Sequence, residues 1–79
     1  MTKEQIEREK IEAQDNLKKI KSKDARLVRV EVLYNEIDKN YLIGVFFDKG
    51  KGSKLDSYPH TTDSGTREDA EKVLEFYKP

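Results

Sequence analysis

A single histidine, His60, stands in a stretch that also holds Asp56, Ser57, Asp63 and Ser64. These are the residue types of acyl transfer, where a serine oxygen attacks, an imidazole takes its proton and a carboxylate orients the ring. That chemistry also needs a fixed mutual geometry and a hole of hydrogen-bond donors for the oxyanion. A loop in a chain of 79 residues is a poor scaffold for either. His60 therefore reads as an exposed loop histidine. One imidazole among scattered carboxylates is not a zinc-binding set by spacing, so no metal is expected, and no cofactor.

Asp63-Ser64-Gly65-Thr66 spells a DSGT tetrapeptide that resembles the catalytic turn of aspartic proteases. Two such turns are needed there, each behind a buried apolar strand, to bring two carboxylates together. This chain has one, preceded by Pro59, His60, Thr61 and Thr62 and leading straight into a helical pattern. Ser64 or Thr66 as a helix cap accounts for the sequence without catalysis.

The run Lys49-Gly50-Lys51-Gly52-Ser53-Lys54 is the third candidate. Its glycines and lysines suit phosphate, but the spacing is not that of a nucleotide-binding loop and no helix follows. It reads as a basic hairpin tip, either reaching a nucleic-acid groove or blunting a strand edge. Lys18, Lys19, Lys21 and Lys23 with Arg26 and Arg29 add six positive charges within twelve residues. Cations there also suit the negative end of a helix dipole.

The elements that must position these residues follow from periodicity. Residues 2–22 contain no Gly or Pro and are rich in Glu, Lys, Gln and Ala, a helix with Thr2 and Gln5 as its capping box. Glu4 and Arg8 are placed for an ionic pair one turn apart. Its apolar stripe, Ile6, Ala13, Leu17 and Ile20, is thin: enough for one face on a sheet or on a second copy. Residues 25–48 hold 14 of the 27 hydrophobic residues. Within them, 26–34 alternates with period two, Val28, Val30, Val32 and Tyr34 on one face and Leu27, Arg29, Glu31 and Leu33 on the other. Residues 35–40 read as a turn, and 41–48 as a strand apolar on both faces, hence central. A third strand is possible over 54–58, ending at Pro59. Thr66 caps a last helix over 67–77, where Ala70, Val73, Leu74 and Tyr77 share a face. The expected fold is α+β: one small domain over 1–79, ordered α-β-β-(β)-α, with both helices on a short antiparallel sheet.

That order, with Gly65-Thr66-Arg67-Glu68-Asp69-Ala70 opening the final helix, resembles the double-stranded-RNA-binding domain and the arm-binding domain of tyrosine recombinases. In both, a Ser/Thr-basic-basic-x-Ala pattern opens that helix. Glu68 and Asp69 stand where the RNA-binding family carries phosphate-gripping lysines. The resemblance covers capping chemistry and brings no function to this chain.

Composition narrows the classes further. Charged residues make up 41% and hydrophobic ones 34%, with a mean hydropathy of −0.96. Sixteen basic residues balance sixteen acidic ones, and the pI near 6.6 argues against a dedicated nucleic-acid binder. Lysines outnumber arginines 12 to 4, which points the same way. No cysteine is present, so disulfides and thiolate sites are excluded. With no apolar run of spanning length, no membrane association is expected, and the location expected is cytoplasmic.

Tyr41, Phe46 and Phe47 cannot all face inward on one strand, so an aromatic sheet face is the leading candidate surface. The reading is a non-enzymatic protein acting by protein–protein contact: an accessory, adaptor or inhibitor of the kind phages and mobile elements encode. Its binding residues are Tyr41, Phe46, Phe47, Arg29, Lys49, Lys51 and Lys54. The alternative is a nucleic-acid module using the 49–54 hairpin with residues 18–29. A homodimer is compatible with either.

Overall fold

Thr2 starts the first helix as the sequence requires. Its hydroxyl accepts from the Gln5 backbone N–H at 3.1 Å, and the Gln5 side chain accepts from the Thr2 N–H at 2.9 Å. The computed structural model describes residues 1–50 and 54–78. Helix α1 spans Lys3–Ser22, followed by strands β1 (Arg26–Asn35), β2 (Asn40–Asp48) and β3 (Asp56–Thr61). Helix α2 spans Arg67–Leu74 and tightens into a 3-10 turn over Glu75–Tyr77. The strands form one antiparallel sheet in the order β1-β2-β3, so the strand apolar on both faces is indeed central. The protein is α+β, with the expected element order.

Both helices pack on one face of this sheet. Ile43, Val45 and Phe47 of β2 are buried there with Ala13 and Ile20 of α1, Ala70 and Val73 of α2, and Tyr77. Leu27, Val30 and Val32 of β1 and Tyr58 of β3 pack against the same cluster. A bulge between Leu27 and Arg29 changes the expected alternation. It turns Leu27 inward and leaves Val28 47% exposed, on neither face of a regular ladder.

The third strand differs from expectation. It does not end at Pro59 but runs through it, pairing Pro59 with Gly44, His60 with Ile43 and Thr61 with Leu42. An edge strand tolerates proline, because the outward side of its ladder has no donor to lose. In the 35–40 turn, the Asn35 side chain accepts from the Ile37 and Asp38 N–H groups at 3.0 and 3.3 Å. The left-handed residue there is Lys39 (φ 53°), while Ile37 at the tip is 92% exposed. Among the described residues, no helix is long and apolar enough to cross a membrane.

Candidate functional site

The buried stripe of α1 consists of Glu9, Ala13, Asn16 and Ile20, at spacings of four, three and four. That is the geometry of a core-facing helix, yet two of the four side chains are polar. Each has a partner from the other end of the chain. Glu9 Oε2 lies 2.9 Å from His60 Nε2, and Asn16 Nδ2 donates to the Tyr77 hydroxyl at 2.9 Å. Glu12, three residues beyond Glu9, places its own Oε2 2.8 Å from the same His60 nitrogen. On the ring's other side, His60 Nδ1 is 2.5 Å from the Tyr77 oxygen, with the two rings edge-on at 81°.

His60 is thus not an exposed loop residue. It sits on the inner face of β3 and is completely buried. A third strand that stopped at Pro59 would leave His60 in a loop; its continuation to Thr61 places His60 opposite Ile43, pointing at the helices.

Asn16 Nδ2 can only donate, so the Tyr77 oxygen accepts there. In the neutral ring whose Nδ1 accepts the Tyr77 hydroxyl hydrogen, the proton is on Nε2, between Glu9 and Glu12. Burial pushes the Glu9 carboxyl up, offset by the hydrogen bond and charge of His60 and reinforced by the charges of Glu12 and Asp63. Burial also pushes the Tyr77 phenol up, to about 12, against the opposing Asn16 hydrogen bond; Glu12 and Glu9 add to the rise.

On its outer side the cluster opens to solvent. Glu12 is half exposed, and Glu9, Glu12, Arg8, Ile11, Asp15 and Asp63 border a shallow groove. Arg8, placed by sequence beside Glu4, instead donates to Asp63 at 3.1 Å across this rim. One oxygen of Glu9, one of Glu12 and the His60 nitrogen all lie within 4.8 Å of one another. The scattered carboxylates that offered no metal-binding spacing in the sequence are brought to the imidazole by the fold.

The DSGT turn is a capping turn. Ser64 donates to Asp69 Oδ2 at 2.5 Å, and Thr66 Oγ1 accepts from the Asp69 N–H at 3.3 Å. Gly65 has φ 66°, its N–H donates to Thr62 Oγ1, and its carbonyl accepts from Tyr41 at 2.8 Å.

The other surface of interest is the sheet face away from the helices. Register places Arg29, Glu31 and Leu33 of β1, Leu42, Gly44 and Phe46 of β2, and Ser57, Pro59 and Thr61 of β3 on it. Leu33 is 38% exposed, Pro59 and Thr61 are exposed, and Leu42 and Phe46 are half-buried. A side chain at Gly44 would meet Leu33 Cδ1 and Phe46 Cε2, both at 2.8 Å from its Cβ. The glycine lets these two side chains lie flat over the backbone, and the Arg29 guanidinium stacks on the Phe46 ring at 4.4 Å.

The residues singled out from sequence are therefore divided. Phe46 and Arg29 share the open face. Phe47, 2% exposed, belongs to the core, and Tyr41 lies half-buried on the inner face beside Tyr34. Lys49 is exposed but tied to Asp56 at 2.8 Å, a hydrogen bond and charge that raise its pKa. Lys54 is exposed, and Lys51 with the expected hairpin tip lies outside the described residues. Lys23, from the basic run, donates to the Tyr58 hydroxyl at 2.6 Å. Glu9, Glu12, Asn16 and Tyr77 were missed as site residues. The available signal was Glu9 and Asn16 standing within the apolar stripe of α1, where a polar residue needs a buried partner.

No family model, no curated protein and no solved structure matches the chain.

Proposed function

We propose that this chain is a non-enzymatic, cytoplasmic binding protein that acts by protein–protein contact, as an accessory, adaptor or inhibitor. The observation that carries the reading is the sheet face away from the helices, built from Leu33, Leu42, Phe46 and Pro59. In a chain with 41% charged residues, apolar side chains gathered on one open face are a costly surface to leave wet. Gly44 keeps that face flat, which suits a partner surface rather than a small molecule. Arg29 over Phe46 supplies the pairing of aromatic and arginine that anchors many interfaces. Ile37, in the turn between β1 and β2, is a further large apolar side chain left exposed.

The test is crosslinking from the face itself. A photoreactive residue replacing Leu33 is used to capture a partner from lysate, and the identified protein is then purified. Its binding is measured with the wild-type chain and with Phe46→Ala. Loss of about 2 kcal/mol or more of binding free energy, with the circular dichroism unchanged, is the expected result. Binding that ignores Phe46→Ala, or capture of nucleic acid alone, would remove the reading. Light scattering of the free chain separates a partner of different sequence from a second copy.

A further inference from the structure

We infer that Glu9, Glu12 and His60 form a binding site for one divalent transition ion, zinc by ligand chemistry, at the inner end of the groove beside α1. This inference is independent of the sheet face. Two carboxylate oxygens, from consecutive turns of one helix, converge on the same imidazole nitrogen at 2.9 and 2.8 Å. The hydrogen bond of that nitrogen goes to Glu9, so the Glu12 oxygen stands 2.8 Å away with no hydrogen directed at it. A cation at this point would satisfy both.

Three further features fit a metal. The donors are one nitrogen and two oxygens; the imidazole selects a transition ion over magnesium or calcium, and three protein ligands leave a coordination position free. Glu9 and Glu12 both line the groove, and Glu12, half exposed, gives access from solvent. Behind the site, His60 Nδ1 is held by Tyr77, itself held by Asn16. A buried partner on the second ring nitrogen is what fixes the orientation of a ligating histidine.

Binding at Nε2 replaces the proton there, so it reverses the hydrogen-bond chain. Nδ1 must then donate to the Tyr77 oxygen, and the Tyr77 hydroxyl must donate to the carbonyl of a turned-over Asn16 amide. Tyr77 and Asn16 are positioning residues for the ion, not ligands.

The test is a Co2+ titration of chelator-stripped protein at neutral pH, read by visible absorption, followed by displacement with Zn2+. One equivalent of Co2+ giving ligand-field bands, removed by one equivalent of Zn2+, is expected. Glu12→Gln changes a half-exposed side chain and leaves the fold intact; it should weaken the ion roughly tenfold or more. Asp15→Asn, on the same groove but outside the donor set, should leave the affinity unchanged. Nitrogen-15 NMR of the His60 ring should show the Nε2 hydrogen lost when Zn2+ is added. A folded protein with no bands in excess Co2+, affinity equal in Glu12→Gln, or an Nε2 hydrogen retained with Zn2+ would each overturn the site.

Discussion

His60 Nδ1 and the Tyr77 hydroxyl, seventeen residues apart in sequence, lie 2.5 Å from each other inside the protein. The contact joins edge strand β3 to the 3-10 turn that closes the chain, and Asn16 of α1 donates to the same hydroxyl. Three elements thus meet at one oxygen. Since that oxygen is buried, its hydrogen bonds replace those water would make, and leaving either partner alone is expensive.

Tyr77→Phe tests this junction. The ring still fills its place in the core, but Asn16 Nδ2 and His60 Nδ1 both lose their partner. Urea denaturation should show a loss of about 1–3 kcal/mol, the cost of unsatisfied buried polar groups. A variant as stable as the wild type would mean that water reaches both nitrogens.

The same phenol sets an alkaline limit. Its pKa is raised from 10.0 to about 12 by burial, so the folded state holds the proton more tightly than the unfolded one. The stability from this group is therefore complete below pH 10 and is lost as pH rises through about 12. Chelator-treated wild-type protein should lose stability across that window more steeply than Tyr77→Phe does. Parallel curves for the two proteins would contradict the assignment.

Adjacent phenylalanines give a sharper separation. Phe47 is 2% exposed in the core, and Phe47→Ala should cost about 3–5 kcal/mol. In a domain of this size, that is enough to leave much of the chain unfolded. Phe46 lies on the open face, where its main partner is Arg29 at 4.4 Å. Phe46→Ala should cost only about 1 kcal/mol and leave a cooperative thermal transition. Equal losses for the two variants would place both rings in the core.

Much of this architecture was legible from local patterns. The Thr2–Gln5 box, the Thr66 cap and the alternation over residues 29–34 are local, and each appears where the sequence put it. What was not legible depended on register between distant segments. The bulge that turns Leu27 inward follows from pairing with β2 rather than from the residues around Leu27. Extending β3 through Pro59 is permitted only because β3 is an edge, a fact of topology. His60 became part of a buried cluster through that extension. Glu9 and Glu12 joined it from fifty residues away, a convergence that no sequence spacing encodes.

Gly65 and Gly44 should respond differently to alanine. At Gly65 the backbone is left-handed, φ 66°, and a Cβ would lie 2.8 Å from the Cβ of Asn40, an atom fixed to its own backbone. Gly65→Ala should therefore cost about 1–2 kcal/mol for the left-handed backbone alone, with the clash in addition. At Gly44 the obstructing atoms are the tips of Leu33 and Phe46, which can swing toward solvent. Gly44→Ala should keep the fold and lift both side chains from the sheet. Denaturation of the two variants side by side gives the ranking, and a Gly44→Ala loss exceeding that of Gly65→Ala would reverse the argument.

Asn16→Asp fixes the direction of the buried hydrogen-bond chain. An ionised aspartate accepts and cannot donate, so the Tyr77 hydroxyl must give its hydrogen to residue 16. In the neutral ring the Tyr77 oxygen then takes a hydrogen from His60 Nδ1, and Nε2 faces Glu9 and Glu12 with a bare lone pair. Without metal, three acceptors are turned toward one another, and the variant should be about 1–3 kcal/mol less stable than wild type. A zinc ion at that point meets all three, so its addition should restore more stability to Asn16→Asp than to the wild-type chain. Melting temperatures with chelator and with Zn2+ decide the matter. A variant that zinc stabilises no more than wild type would show that the chain's direction does not govern access to Nε2.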